Sequence, residues 1–183
     1  MDIREKVFLV SGGASGLGAA TAQLLIAQGA RVMLADINAD ALASQVEKLG
    51  ANARSVVTDV SQEASAQAAV DATLAAFGAL HGLINCAGIV GAQKILGKEG
   101  PHDLLSFRRV IDVNLIGSFN LMRLATAVMA EGSADAGGER GIDLEAARAV
   151  SASSLRNDLI SHDLLQFDDG AGVSVADVLA DPE

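Results

Sequence analysis

The apolar run Lys6-Val-Phe-Leu-Val-Ser11 breaks directly into Gly12-Gly-Ala-Ser-Gly-Leu-Gly18, and a helical pattern begins at Leu17. No other feature constrains the fold as much as this β-type run that stops at glycines and resumes as a helix. The first turn of such a helix has N–H groups without intrahelical partners, and they carry the positive end of the helix dipole. Two readings are open from these residues alone. One is a tight strand-to-helix turn. The other is an anion cradle, in which side chains would block a pyrophosphate or need unfavourable positive φ. The glycines fall at Gly12, Gly16 and Gly18, a G-x-x-x-G-x-G spacing related to the commoner G-x-G-x-x-G.

The same alternation continues downstream. The pattern predicts a strand at 6–11 and a helix at 17–28, with Leu17, Ala20, Leu24 and Leu25 on one face and Gly29 as its C-terminal cap. A second strand at 31–35 and a helix at 39–49 follow, the helix carrying Leu42, Val46 and Leu49 in register. A third strand at 53–58, a helix at 63–77 and a fourth strand at 83–86 come next. After a glycine-containing loop, 103–129 reads as one long or two consecutive helices. Strands alternating with helices through short connections predict right-handed parallel crossovers, hence an open α/β sheet.

The pattern stops near residue 141. The stretch 131–141 is polar and glycine-rich, which predicts a loop. Residues 1–141 hold 14 acids and 11 bases, net −3, whereas 142–183 hold 9 acids and 2 bases, net −7. The expected organisation is a nucleotide-binding unit over 1–141 and an acidic tail over 142–183. In that tail, 144–160 and 174–179 read as helices and 168–170 as a turn, and no fifth strand is evident.

Charge and composition narrow the classes. Acids outnumber bases 23 to 13 over 183 residues, which argues against nucleic acid and against a polybasic membrane anchor. The longest stretch without a charged side chain, 72–93, contains glycines, His81 and Asn85, and so reads as helix, turn and strand rather than a membrane span. The start, 1–10, is too short and too charged for a signal peptide. Cys86 is the one cysteine and no Cys/His cluster has zinc-ligand spacing, so no metal site is expected and a cytoplasmic, reducing compartment is the expectation. Cys86 itself reads as a small core residue.

Candidate binding residues lie at the ends of the predicted strands. Asp36 comes 18 residues beyond Gly18, where a carboxylate accepts hydrogen bonds from both hydroxyls of an adenine ribose. It would repel a 2′-phosphate, so NAD is expected over NADP; a helix-capping or surface acid is the competing reading. Asp59-Val60, after the third strand, suit an adenine contact or an ordinary turn. Asn85-Cys-Ala-Gly88, after the fourth, offers small residues to a closely approaching cofactor.

With these motifs assembled, the sequence resembles the short-chain dehydrogenase/reductase family. The family's Thr-Gly-x-x-x-Gly-x-Gly appears with Ser11 for Thr, and its Asn-Asn-Ala-Gly with Cys86 for the second Asn. Within the family, the glycine stretch, the insertion around 94–102, Phe107-Arg-Arg-Val-Ile-Asp-Val-Asn-Leu115 and Gly137-Gly-Glu-Arg-Gly141 resemble the type-2 3-hydroxyacyl-CoA dehydrogenases. The likeness covers residues 3–141. It implies a Rossmann-type doubly wound sheet, incomplete, with strand order 3-2-1-4. It also implies that Gly12, Ser15, Gly16, Leu17 and Gly18 wrap a pyrophosphate, that Asp36 selects NAD, and that Asp59 and Val60 hold adenine. Asn85, Ala87 and Gly88 would line the cleft, and Asn114 would organise a water-borne proton relay.

The family's remaining catalytic members are a serine and a Tyr-x-x-x-Lys pair, and these have no match: the chain contains no tyrosine and no lysine beyond Lys98. His162, Asp168 and Asp169 are poor substitutes, reading as solvated surface residues. The expectation is therefore an NAD(H)-binding, truncated and catalytically impaired relative of these enzymes. The competing expectations are an active NAD-dependent oxidoreductase of the 3-hydroxyacyl-CoA or hydroxysteroid dehydrogenase type, on a small alcohol or acyl-CoA substrate, and a non-catalytic interaction protein that binds a partner through an exposed sheet edge or the acidic tail, the edge also allowing self-association.

Overall fold

The computed structural model describes residues 3–98, 100–134, 138, 140 and 141. The predicted tail helices, the turn at 168–170, His162 and the whole of 142–183 lie outside the described residues. Elements follow in the order β1 (Val7–Ser11), α1 (Gly16–Ala27), β2 (Arg31–Asp36), α2 (Ala39–Leu49), β3 (Ala53–Val57), α3 (Glu63–Phe77), β4 (Gly82–Asn85), α4 (Leu104–Ile111) and α5 (Ser118–Glu131). The four strands make one parallel sheet in the order β3-β2-β1-β4. Val7 pairs with Arg31 and Ser11 with Ala35 on one side of β1; Phe8 pairs with Gly82 and Ser11 with Asn85 on the other.

The period of two along the strands divides the core into two layers. Leu9, Met33 and Ala35 face α3 and α5, where they pack with Ala66, Ala69, Val70, Leu121 and Ala125. Val10, Val32 and Leu34 face α1 and α2, where they meet Ala14, Ala22 and Leu42. Every residue of β1 is buried, because helices cover both faces of this strand. That explains why the sequence shows a continuous apolar run there rather than an alternation.

Helix ends are set locally. Asn38 Oδ1 accepts the Ala41 N–H at the start of α2. Gly78, with φ 77°, closes α3 and donates its N–H to Leu74 at 2.7 Å. The predicted 103–129 helix is observed as α4 and α5 joined through a π-helical stretch, Asp112–Gly117, into a single 28-residue rod from Leu104 to Glu131. By length and composition this rod is apolar enough to cross a membrane, but in the fold Asn120, Leu121 and Ala125 of its α5 part are buried on the sheet side.

The face predicted for α1 is corrected. Leu17 is 81% exposed and Leu24 64%, the buried positions are Gly18 and Ala22, and of the predicted leucines Leu25 alone packs, partly buried, against the core. The physical reason is distance: a Cβ on Gly18 would stand 2.2 Å from the Gly12 carbonyl oxygen. The start of α1 therefore lies too close to β1 for a leucine to point inward.

Candidate functional site

The carboxyl ends of all four parallel strands lie along one edge of the sheet. The chain leaves β1 for α1 and β2 on one side and later returns on its other side as β4, so the order reverses at β1. The crevice outside such a reversal is where open α/β sheets bind ligands. Ser11, Asp36, Asp59 and Asn85 all lie on this edge, as the sequence predicts. Asp36 is the last residue of β2, Asn85 the last of β4, and Asp59 lies two residues past the end of β3.

The glycines divide into two kinds. Gly12 has φ +64°, and a Cβ there would meet the Ala87 nitrogen and the Cys86 carbonyl group at 2.7 Å. Gly12 and Gly18 are therefore required by contacts within the protein. Gly16 also has positive φ, +51°, but a Cβ on it would meet nothing within 4 Å. Its surroundings are open beside the first turn of α1, whose cap residue Ser15 makes no side-chain cap bond and whose first turn carries no acid. Bare backbone, open space and a helix N-terminus suit a pyrophosphate. Ser15 and Leu17 are exposed at the rim of this space.

Asp36 is tied into the same loop. Its Oδ2 accepts the Ala14 N–H at 3.1 Å and its Oδ1 the Asn38 N–H at 3.0 Å. The Gln45 amide of α2 donates to the Ala14 carbonyl at 3.4 Å. The carboxylate is thus held beside the glycine loop.

Asp59 is held by its own turn: Oδ1 accepts the Ser61 N–H at 3.0 Å and the Ser61 hydroxyl at 2.7 Å. The Ser65 hydroxyl accepts the Asp59 N–H. Val60 is buried, and Gly117 of the π-helical stretch packs so tightly on it that a Cβ there would be 2.6 Å from Val60 Cγ2.

Ser11, which stands where the family motif has Thr, has a further role in the structure. Its hydroxyl donates to Asn85 Oδ1 and accepts from the Cys86 and Ala87 N–H groups, all at 3.2 Å. One donor and two lone pairs are all engaged, so a single hydroxyl fastens the end of β1 to the exit of β4. Asn85 completes the link through Nδ2 to the Ser118 carbonyl at 3.3 Å. The motif marks Ser11 but not its bonds to Asn85, Cys86 and Ala87, and no sequence signal marks Gln45, because these contacts join distant segments; Ser65 acts locally, on the Asp59 turn six residues before it.

Asn114 lies within the π-helical stretch. Its Oδ1 accepts the Ile89 N–H at 2.8 Å and its Nδ2 donates to the Ile89 carbonyl at 2.9 Å. A Cβ on Gly88 would be 3.4 Å from Asn114 Oδ1. The amide that the resemblance assigns to a water relay is therefore engaged at both ends with the loop leaving β4. Each end of the amide keeps one further hydrogen-bonding position, and the Asn114 backbone carbonyl accepts the Ser118 hydroxyl at 2.8 Å.

His81 lies at the opposite end of the sheet. Burial, then Lys6 and Arg31, lower its pKa, and its Nδ1 accepts the Val7 N–H at 3.1 Å. It is a structural group, remote from the crevice.

Comparison with known proteins gives a consistent result. Residues 6–141 match the family model for short chain dehydrogenases. The chain is 42% identical over 151 residues to the 3-hydroxyacyl-CoA dehydrogenase type-2 of Bos taurus, and 40% identical to that of Homo sapiens. These matches cover 81% of this chain and 58% of each relative, so the chain spans a little under three fifths of their length. Among solved structures, 3-hydroxyacyl-CoA dehydrogenase type-2 from Mycobacterium avium superposes with a TM-score of 0.72 at 31% identity, covering 88% of this chain and 72% of that one. The 3-ketoacyl-(acyl-carrier-protein) reductase from Brucella melitensis, complexed with NADH, gives 0.66 at 30% identity, covering 70% and 52%.

Proposed function

The chain belongs to the short-chain dehydrogenase family, and from that premise we propose that it binds NAD(H) in the crevice at the carboxyl end of its sheet without efficient turnover by these 183 residues themselves. The observation that carries the reading is the contrast among the three glycines: two are required by contacts within the protein, and Gly16 leaves open space beside a helix N-terminus. In this reading the backbone of Gly12 to Gly18, with Ser15 and Leu17 at the rim, holds the pyrophosphate. Asp36 takes the ribose hydroxyls and disfavours a 2′-phosphate. The turn carrying Asp59 and Val60 borders the adenine, the Val60 side chain itself being packed inward against Gly117, and Asn85, Ala87 and Gly88 line the cleft toward the nicotinamide. The cofactor, when bound, supplies a hydride donor or acceptor.

Proton transfer at the substrate oxygen is a separate requirement, worth roughly 10²- to 10⁴-fold in rate. No phenol can provide it here, since the chain has no tyrosine, and the described side chain nearest to that role, Asn114, is bonded to Ile89. A second reading, an active oxidoreductase on a 3-hydroxyacyl-CoA, is favoured by the relatives of that name at 40–42% identity. Titration with NADH and NADPH, followed by an assay for NADH formation from a 3-hydroxyacyl-CoA, separates the two. Saturable NADH binding with background turnover supports the first reading, and catalytic NADH formation supports the second. No NADH binding overturns both.

A further inference from the structure

A chain of polar contacts runs from the surface of α5 to the backbone of the Asp59-Val60 turn. Asn120 is a buried polar residue of α5, only 6% exposed. Its Nδ2 donates to the Val60 carbonyl at 3.4 Å. Its Oδ1 accepts from Arg123 twice, from Nε at 3.1 Å and from Nη2 at 2.8 Å. Arg123 Nη2 also donates to Glu63 Oε1 at 2.7 Å, at the first residue of α3. The chain thus reads Glu63, Arg123, Asn120, Val60.

The chemistry of the two ends dictates the middle. A guanidinium only donates and a carbonyl only accepts, so the group between them must accept at one end and donate at the other. A primary amide does this in one orientation alone: Arg123 holds the oxygen, which leaves the NH₂ for Val60. The outer ion pair is exposed, with Arg123 39% and Glu63 77% accessible, and an exposed pair of this kind stabilises little on its own. Its effect is to aim the buried amide. Together with the close approach of Gly117 to Val60, this amide fixes where the turn carrying Asp59 sits relative to the crevice.

We propose that Asn120, oriented by Arg123 and Glu63, is a positioning residue for recognition of the adenine ring, acting through the Val60 carbonyl on the Asp59 turn. The proposal rests on the cofactor reading above. Asn120→Asp keeps an oxygen toward Arg123 and loses the donor, placing a second acceptor against the Val60 carbonyl. Arg123→Met removes the group that aims the amide and lies at the surface, so it carries the test should Asn120→Asp not fold. Each protein is titrated with NADH and with the analogue in which hypoxanthine replaces adenine. The ratio of the two affinities does not depend on the folded fraction, because both ligands draw on the same folded population, so a merely structural role leaves it unchanged. The expected result is that the wild type prefers NADH, that both variants bind NADH roughly three- to tenfold more weakly, and that their preference falls toward one. A wild type that binds both ligands equally, or variants that keep the wild-type ratio, overturns the positioning role alone. A wild type that binds neither overturns the cofactor reading and this inference with it.

Discussion

Asn114 and Ile89 form a closed pair: the amide oxygen of one accepts the N–H of the other at 2.8 Å, and the amide nitrogen donates to its carbonyl at 2.9 Å. A π-helical stretch inside a long rod places this side chain where a regular helix would offset it, and such bulges recur at functional sites. The pair makes the loop leaving β4 an extension of the α4–α5 rod.

Asn114→Ala should release that loop. It leaves a partly buried donor and acceptor without partners, a cost of about 1–3 kcal/mol for each group that water does not reach. Native-state hydrogen exchange should then quicken at Ile89 and its neighbours while amides of β1 and β2 keep their protection. Uniform loss of protection across the sheet would show that the pair supports the whole fold rather than the loop.

The glycines should separate under substitution. Gly12→Ala meets backbone at 2.7 Å and Gly18→Ala meets the Gly12 oxygen at 2.2 Å, so both should lower Tm sharply or prevent folding. Gly16→Ala has open space around it and carries only the cost of positive φ, roughly 1–2 kcal/mol. It should fold and yet bind NADH poorly, since its methyl group enters the space proposed for the pyrophosphate. Thermal melts paired with NADH titration decide this, and wild-type NADH affinity in Gly16→Ala would argue against the assignment.

Asp36→Ala should change cofactor choice. The carboxylate accepts the Ala14 and Asn38 N–H groups and, in the proposed complex, the ribose hydroxyls. Its loss should weaken NADH by roughly tenfold or more, as expected for hydrogen bonds to a charged group, and should relieve repulsion of NADPH. The NADH to NADPH affinity ratio is the measurement, and a ratio that stays at the wild-type value contradicts the role.

Acid should weaken the far end of the sheet through His81. Its pKa lies below the ordinary 6.5, mainly through burial, and Nδ1 must be unprotonated to accept the Val7 N–H. With the folded pKa lowered, the unfolded chain binds the proton first as pH falls. The stabilisation is therefore fully present above about 6.5 and is lost as pH drops through the folded value. Urea midpoints from pH 7.5 to 5 should fall less steeply in His81→Asn, whose Oδ1 can accept the same N–H without titrating. Parallel slopes in the two proteins would exclude the histidine as the cause.

Much of this architecture is legible in the residues because it follows from local rules. The β-type runs at 6–11 and 31–35, the glycine-ended helices and the short connections predict parallel crossovers, and each predicted strand and helix of 6–77 is observed within about two residues. The first helix shows where that reasoning stops. Its leucines at 17 and 24 look like a core stripe, yet both are exposed, because the distance between Gly18 and Gly12 decides which side can face the sheet.

The sequence by itself determined the alternation, the strand ends at which Asp36, Asp59 and Asn85 would appear, and the absence of any phenol. Periodicity, glycine conformation and side-chain inventory are properties of short segments, and they survive without knowledge of the fold. Only the tertiary structure decided that Ser11 fastens two strand ends, that Asn114 holds Ile89, and that Asn120 connects Arg123 to Val60. Apart from the Arg123–Asn120 contact within α5, those bonds join residues 25 to 76 positions apart, and hydrogen bonds of this kind are set by direction over about 3 Å, which no spacing along the chain encodes.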